Sequence, residues 1–248
     1  MSIPVFLVDD ALAGVSPEAI IAVTGAEGRH AATVLRLRPG DHVDVVDGRG
    51  RRVRGTVAEA HRDRIDVRAI RIEDEPAPEP RLIAVQALAK GDRGELAVEM
   101  LTEVGVDAIV PWAARRCVAR WTGDRERRGL ERWRAASRSA TKQSRRARVP
   151  VMDAVLDTDE VAGLVSHAAL AVILDPDADA AIGGVAVPTE GDVLVIVGPE
   201  GGIDPDERDR LTGAGAVAVR LGPDILRTST AGAVASGILL ARTTRWAG

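Results

Sequence analysis

Val193-Leu194-Val195-Ile196-Val197-Gly198-Pro199-Glu200-Gly201-Gly202 is the stretch on which the fold turns. Five aliphatic residues run without polar alternation, and four are β-branched. That pattern fits a strand covered on both faces, as in a parallel sheet between helices. A glycine-rich turn follows at once. A helix start comes next: Asp204 suits an N-cap, Pro205 the first helical position, and Glu207 completes a capping-box spacing. Ligands of open α/β sheets bind at the carboxyl ends of strands. Glycines at that place let backbone groups approach a ligand closely. Taken alone, the same residues equally describe an ordinary tight strand-to-helix turn. No Gly-Lys-Ser/Thr follows, so it is not a phosphate loop. Gly-x-Gly-x-x-Gly is absent, so it is not a dinucleotide fingerprint.

Working outward, strands alternate with helices from Arg81 to the end of the chain. Residues 82–88, 108–111, 169–174, 193–197 and 216–221 read as strands; 95–104, 125–143, 206–213 and 230–243 read as helices. Such alternation predicts a mainly parallel sheet with helices on both faces. Upstream the pattern differs. Alternating apolar positions at Val43, Val45 and Val46, at Val53 and Val57, and at Ile65, Val67 and Ile70 predict short strands. Arg38-Pro39-Gly40-Asp41 and Asp47-Gly48-Arg49-Gly50 are turns between them. Residues 28–37 read as a helix. Glu73-Asp74-Glu75-Pro76-Ala77-Pro78-Glu79-Pro80 reads as a linker, since three prolines and four acids in eight residues suit neither sheet nor core. The expected organisation is a small β-barrel at 1–72, a linker at 73–80, and an α/β domain at 81–248.

Composition narrows the function classes. Only 2% of residues are aromatic against 46% hydrophobic, so the core must be aliphatic. No apolar run is long enough to span a membrane, and the N-terminus lacks a basic leader, which leads us to expect a cytoplasmic protein. Cys117 is the single cysteine, which excludes an intrachain disulfide and a thiolate cluster. His30, His42, His61 and His167 are scattered without metal-ligand spacing, so no metal is expected. The net charge of −4 hides a strong asymmetry. Residues 115–148 carry 13 Arg or Lys against 3 acids, while residues 151–248 carry 6 Arg against 15 acids. A basic block of this kind is either a solvated helix face or a phosphate-binding surface. Trp112, Trp121 and Trp133 beside it are candidates for base stacking. In so aromatic-poor a chain, core packing accounts for at least two of them.

A second segment pairs with the first: Leu221-Gly222-Pro223-Asp224-Ile225-Leu226-Arg227-Thr228-Ser229-Thr230-Ala231. Again a strand enters a Gly-Pro turn, and a helix of small residues follows, with Thr228, Ser229 or Thr230 placed to cap it. Together the two segments resemble the cofactor loops of the 16S ribosomal RNA uridine N3-methyltransferase family, of the SPOUT superfamily of trefoil-knotted methyltransferases. The resemblance spans the chain. Arg29-His30, Val34-Leu35-Arg36 and Pro39-Gly40-Asp41 are similar to that family's PUA-like RNA-binding barrel. Gln86-Ala87-Leu88-Ala89-Lys90 resembles the opening of its catalytic domain, and Gln143-Ser144-Arg145-Arg146-Ala147-Arg148-Val149-Pro150 its basic segment. Two positions depart from the family pattern: Asp224 stands where a basic residue is common, and Ser229 where Glu is common.

The resemblance implies a C-terminal trefoil knot, a homodimer formed through the knot helices, and S-adenosylmethionine as methyl donor. The implied cofactor-binding residues are Leu174, Asp175, Val197, Gly198, Glu200, Gly201, Gly202, Leu221, Gly222, Ile225, Leu226, Arg227 and Thr228. The implied RNA contacts are Arg29, His30, Arg36, Arg138, Lys142, Gln143, Arg145, Arg146 and Arg148, on 16S rRNA or the assembled small ribosomal subunit. Arg227 and Glu200 are the catalytic candidates. Arg227 either stabilises negative charge on the uracil oxygens, fixes the knot through hydrogen bonds, or pairs with an acid of the other subunit. Glu200 either takes the imide proton or accepts hydrogen bonds from its own loop. A related enzyme acting on another rRNA or tRNA base, or a non-catalytic ribosome-assembly factor, would show the same features.

Overall fold

A computed structural model describes residues 3–8 and 12–246. The chain divides into two units, Met1–Ala77 with Thr141–Val149, and Pro78–Ala140 with Pro150–Gly248.

In the first unit, alternation of apolar residues builds five strands: β1 (Val5–Leu7), β2 (Ile20–Val23), β3 (His42–Val46), β4 (Arg51–Ala60) and β5 (Ile65–Asp74). They form a sheet in the order β1-β3-β4-β5-β2, parallel at β1–β3 and antiparallel elsewhere. Register shifts at Arg54/Gly55 and Val57/Glu59 mark bulges between β4 and β5. Bulges bend a strand and strengthen its twist, which curls this sheet into a half-barrel whose edge strands β1 and β2 do not pair. The inward residues Phe6, Val23, Val43, Val45, Val53, Ile65 and Val67 make its core. The predicted helix is shorter and shifted: α1 (Gly25–Arg29) runs into a wider π turn at His30–Val34.

Two expectations about the boundary change. Glu73 and Asp74 are not linker but the end of β5, opposite Arg52 and Arg51. These acids face arginines: Glu73 pairs with Arg54 and Arg71 at 3.3 and 2.9 Å, and Asp74 with Arg51 at 3.6 Å. The segment 141–149, expected in the second domain, packs on the first unit instead. Ala147 and Val149 join Val5, Leu7 and Val46 in a small apolar cluster. Arg52, buried in β4, holds it there by donating to Asp44 at 2.9 Å, Glu75 at 3.0 Å and the Arg145 carbonyl at 2.8 Å. A buried guanidinium is tolerated only with this many acceptors. The spacing of charges along the sequence does not reveal that pairing.

In the second unit, unbroken aliphatic runs form a five-stranded, wholly parallel sheet: β6 (Arg81–Ala87), β7 (Ala108–Trp112), β8 (Leu170–Leu174), β9 (Asp192–Val197) and β10 (Val217–Val219), ordered β10-β8-β9-β6-β7. The helices are α2 (Arg93–Val104), α3 (Asp124–Gln143), α4 (Thr158–His167), α5 (Pro205–Gly213) and α6 (Thr228–Leu240). Helix α4 escaped the sequence analysis, although Asp157 and Glu160 make a full capping box there. Small residues let α6 sit close to the sheet: a Cβ on Gly232 would come within 3.0 Å of Val197 and 3.2 Å of Leu101.

Candidate active site

Leu174 ends β8 and Val197 ends β9, and the loops leaving these neighbouring strands open a cavity of about 760 Å³. Its floor is the glycine turn. Gly198 stays in place because a Cβ there would lie 2.6 Å from Ile203; Gly202 has φ +74°, a left-handed conformation that favours glycine. The Gly202 N–H donates to the Pro199 carbonyl at 2.9 Å and closes the turn. On the far side, Asp204 caps α5 by accepting from the Asp206 N–H at 3.2 Å, with Pro205 at the first helical position. The expected capping box does not form. Glu207 is instead buried and reaches away from the helix, accepting from the Arg115 N–H at 2.9 Å and from the Thr158 hydroxyl at 2.6 Å. Arg115 bonds Asp204 and Asp206 at 2.6 and 2.8 Å, and Arg116 reaches Asp204 at 3.3 Å. The segment after β7 is thereby tied to the glycine loop.

The second loop arrives from β10. Here the expected cap is corrected. Arg227 is the N-cap of α6 with no side-chain cap hydrogen bond, and Thr228 begins the helix. Thr228 spends its hydroxyl elsewhere, donating to the Gly198 carbonyl at 2.5 Å and accepting from the buried Gln86 amide at 3.3 Å. One side chain thus joins β6, the glycine loop and α6. Gln86 Oε1 is buried without a partner.

Of the thirteen residues expected at the cofactor, eleven line the cavity: Leu174, Asp175, Val197, Gly198, Glu200, Gly201, Gly202, Ile225, Leu226, Arg227 and Thr228. Leu221 and Gly222 do not; Leu221 packs half-buried against the core and Gly222 is exposed. The wall is apolar along Leu174, Val197, Ile203, Leu226 and Ala231, with carboxylates at Asp175 and Glu200. Asp175 is paired with Arg208 at 3.1 Å. Glu200 Oε1 accepts from the Lys90 N–H at 3.2 Å and lies 3.9 Å from Arg93, so it ties the glycine loop to the turn after β6. Among the described residues no ion pair engages Arg227, and its side chain is exposed at the cavity. Arg93, Arg116 and Arg208 also line the cavity and were missed. Arg93 and Arg116 follow the carboxyl ends of β6 and β7, the same signal that marked the glycine turn.

The nucleic-acid candidates fall on both units. Arg29, His30 and Arg36 are exposed on the first. Lys142, Gln143, Arg145, Arg146 and Arg148 belong to it as well, and Arg138 to the second. Lys142 pairs with Glu27 at 2.6 Å and Arg148 donates to the Glu75 carbonyl, so both have structural tasks. Cys117 is a buried thiol whose pKa burial pushes up to about 11. Trp112 and Trp133 are core residues, and Trp121 is half-buried. His61, one of the four histidines read as scattered, lies 3.4 Å from Glu59 and 3.7 Å from Asp66. Arg64 already pairs with Asp66 at 2.7 Å, so a cationic partner is in place.

Comparison with known proteins places the chain. Residues 76–240 match the RNA methyltransferase domain family, and residues 23–70 match the RNA methyltransferase PUA domain family. The chain belongs to the RNA methyltransferase family. Among its relatives, ribosomal RNA small subunit methyltransferase E of Mycobacterium bovis is 49% identical over 92% of this chain and 88% of that protein. The Bacillus subtilis protein of the same name is 29% identical over 85% of each. A crystal structure of the Neisseria gonorrhoeae methyltransferase E bound to S-adenosylmethionine aligns with a TM-score of 0.85 at 25% identity, over 98% of each chain. For an RNA methyltransferase the cavity residues fit the methyl donor: apolar side chains suit an adenine, the glycine backbone permits close approach, and the carboxylates complement a cationic ligand.

Proposed function

We propose that this RNA methyltransferase transfers the methyl group of S-adenosylmethionine to N3 of a uridine in the small-subunit ribosomal RNA. The observation that carries this is the cavity itself, built by the loops after β8, β9 and β10 in a chain 49% identical to a small-subunit methyltransferase. When bound, S-adenosylmethionine supplies a methyl group made electrophilic by its sulfonium. The chain's own residues then have three tasks. The backbone of 198–202 and the apolar wall hold the donor, and positioning alone provides much of the rate in a two-substrate transfer. The uncommitted guanidinium of Arg227 stabilises negative charge on the uracil oxygens as the imide proton leaves. Glu200, held by the Lys90 N–H, is the carboxylate placed to receive that proton.

We further propose a homodimer and a trefoil knot in the second unit. Ile225 is 81% and Val234 38% exposed on α6 and its approach, an apolar surface that a second copy would cover. RNA contacts are assigned to Arg29, His30, Arg36, Arg138, Gln143, Arg145 and Arg146, with Lys142 and Arg148 shaping the segment that carries several of them. No helix among the described residues is long and apolar enough to cross a membrane. We place the encounter with ribosomal RNA in the cytoplasm.

Isothermal titration with S-adenosylmethionine tests the donor site, and no measurable binding would refute it. For the reaction, Arg227→Ala is expected to lower kcat by about 10²–10³ with donor affinity retained. Glu200→Gln is expected to lower it by about 10²–10⁴. A Glu200→Gln variant that keeps wild-type kcat would leave Glu200 as a loop tie only.

A further inference from the structure

The basic helix carries a second cavity that donor binding does not use. It has a volume of about 670 Å³, and its wall includes Trp121, Arg120, Arg125, Arg128 and Arg132, with Glu131 the one acid. Arg125, Arg128 and Arg132 stand at i, i+3 and i+7 on α3, hence on one face. Trp121 is packed on two sides. Its ring lies on Gly129, where a Cβ would come within 2.6 Å of Cε2 and 2.7 Å of Cδ2. Its centroid is 5.1 Å from that of Trp133 at an interplanar angle of 73°, an edge-to-face contact.

The arginines divide into two pairs. Arg120 folds back to donate to the Ala114 and Arg115 carbonyls at 3.5 and 2.7 Å, and Arg132 pairs with Glu95 at 3.0 Å. Among the described residues no ion pair engages Arg125 or Arg128. A packed, half-buried indole beside two uncommitted guanidiniums suits a ligand that has both a flat π-face and a negative charge. An unpaired nucleotide has both. An acidic peptide has only the charge and would leave the indole unused.

We infer that this cavity receives an unpaired nucleotide of the RNA substrate, with its base on Trp121 and its phosphate between Arg125 and Arg128. The inference rests on the RNA-methylating function proposed above. A site outside the donor cavity would set the register of the strand before the target base is offered to the methyl group.

The test compares wild-type protein with Trp121→Phe, Trp121→Ala and the double variant Arg125→Ala/Arg128→Ala. Affinity for a short fluorescein-labelled single-stranded oligouridylate is read by anisotropy across a salt series, with intrinsic tryptophan quenching and donor affinity in parallel. RNA should quench wild-type fluorescence. Trp121→Ala should bind at least about fivefold more weakly, and Trp121→Phe should recover most of that loss, because stacking needs only a π-face. The arginine variant, altered only at exposed positions, should bind more weakly and lose about 0.7 from the salt slope, the value for the one phosphate held between them. Donor affinity should stay within about twofold in every variant. Trp121→Ala and the arginine variant both binding RNA like a wild type that methylates its substrate would overturn the inference and leave the proposed function standing. Displacement of the RNA by a polyglutamate of equal charge, as effectively as by unlabelled oligouridylate, would also overturn it. A wild-type protein that transfers no methyl group to ribosomal RNA would instead count against the proposed function.

Discussion

Thr228→Val replaces a hydroxyl by a methyl with little change in volume, at a side chain that joins β6, the glycine loop and α6. The Thr228 hydroxyl donates to the Gly198 carbonyl and accepts from the Gln86 amide, and Thr228 and Gln86 are both buried. Without it, the Gln86 amide keeps only its bond to the Ala87 carbonyl at 3.2 Å, and its Oε1 is already unpartnered. Leaving a buried polar group unsatisfied costs about 1–3 kcal/mol. For a chain of this size each kcal/mol lowers Tm by roughly 2–4 °C, so a fall of roughly 2–12 °C is expected. Part of that energy orders the glycine loop at Gly198, which lines the cavity. If about 1.4 kcal/mol of it must be supplied on binding, affinity for S-adenosylmethionine falls about tenfold. The assay is thermal unfolding with and without the donor, together with calorimetric titration, on wild type, Thr228→Val and Thr228→Ser. Thr228→Ser keeps the hydroxyl and should recover most of both losses. Unchanged Tm and unchanged affinity in Thr228→Val would refute the bridging role. A loss in Thr228→Ser with none in Thr228→Val would show that the methyl, not the hydroxyl, is what matters.

Other perturbations reach other parts of the molecule. Arg52→Met removes the buried donor to Asp44, Glu75 and the Arg145 carbonyl; we expect a loss of about 3–5 kcal/mol and faster proteolysis within 141–149, measured by denaturant titration and limited digestion. Arg245 side-chain nitrogens lie 2.7 and 3.1 Å from the two Asp107 carboxylate oxygens and also donate to the Pro80 and Gly105 carbonyls. Arg245→Ala should therefore raise hydrogen exchange after α6 before it affects the sheet. The Cys117 thiol, raised from 9.0 to about 11 by burial, should alkylate slowly at pH 8 in native protein and rapidly once unfolded. Because the native state holds that proton more tightly, the contribution is complete below pH 9 and is lost as pH rises toward 11, which a stability series over that range will show.

Much of the fold and of the lining of the candidate cavity was legible in the sequence because the signals were local. Unbroken aliphatic runs such as 193–197 have one comfortable setting, a strand buried on both faces. Glycines directly after such a run mark the carboxyl edge where ligands collect, and eleven of thirteen expected residues meet there. What escaped was decided by contacts distant in sequence. Glu207 has a capping-box spacing, yet Arg115 and Thr158 offer it better donors. Thr228 could cap its helix, yet the Gly198 carbonyl lies within reach. The acids at 73–75 look like a linker until β4 brings Arg51, Arg52 and Arg54 opposite them. Arg148 resembles a free phosphate ligand, but its guanidinium is already engaged by a carbonyl. Arg145→Ala, at an exposed position, therefore reports on RNA binding more cleanly than Arg148→Ala does.

The most direct measurement is methyl transfer itself. Purified protein is incubated with labelled S-adenosylmethionine and either small ribosomal subunits or naked small-subunit RNA from a strain lacking the enzyme, and the RNA is then digested to nucleosides for mass spectrometry. The expected product is 3-methyluridine at a single site, abolished or strongly reduced in Arg227→Ala. Label in another nucleoside would contradict the assignment to uridine N3. An absence of label from both substrates, with the donor demonstrably bound, would contradict the proposed methylation of small-subunit RNA.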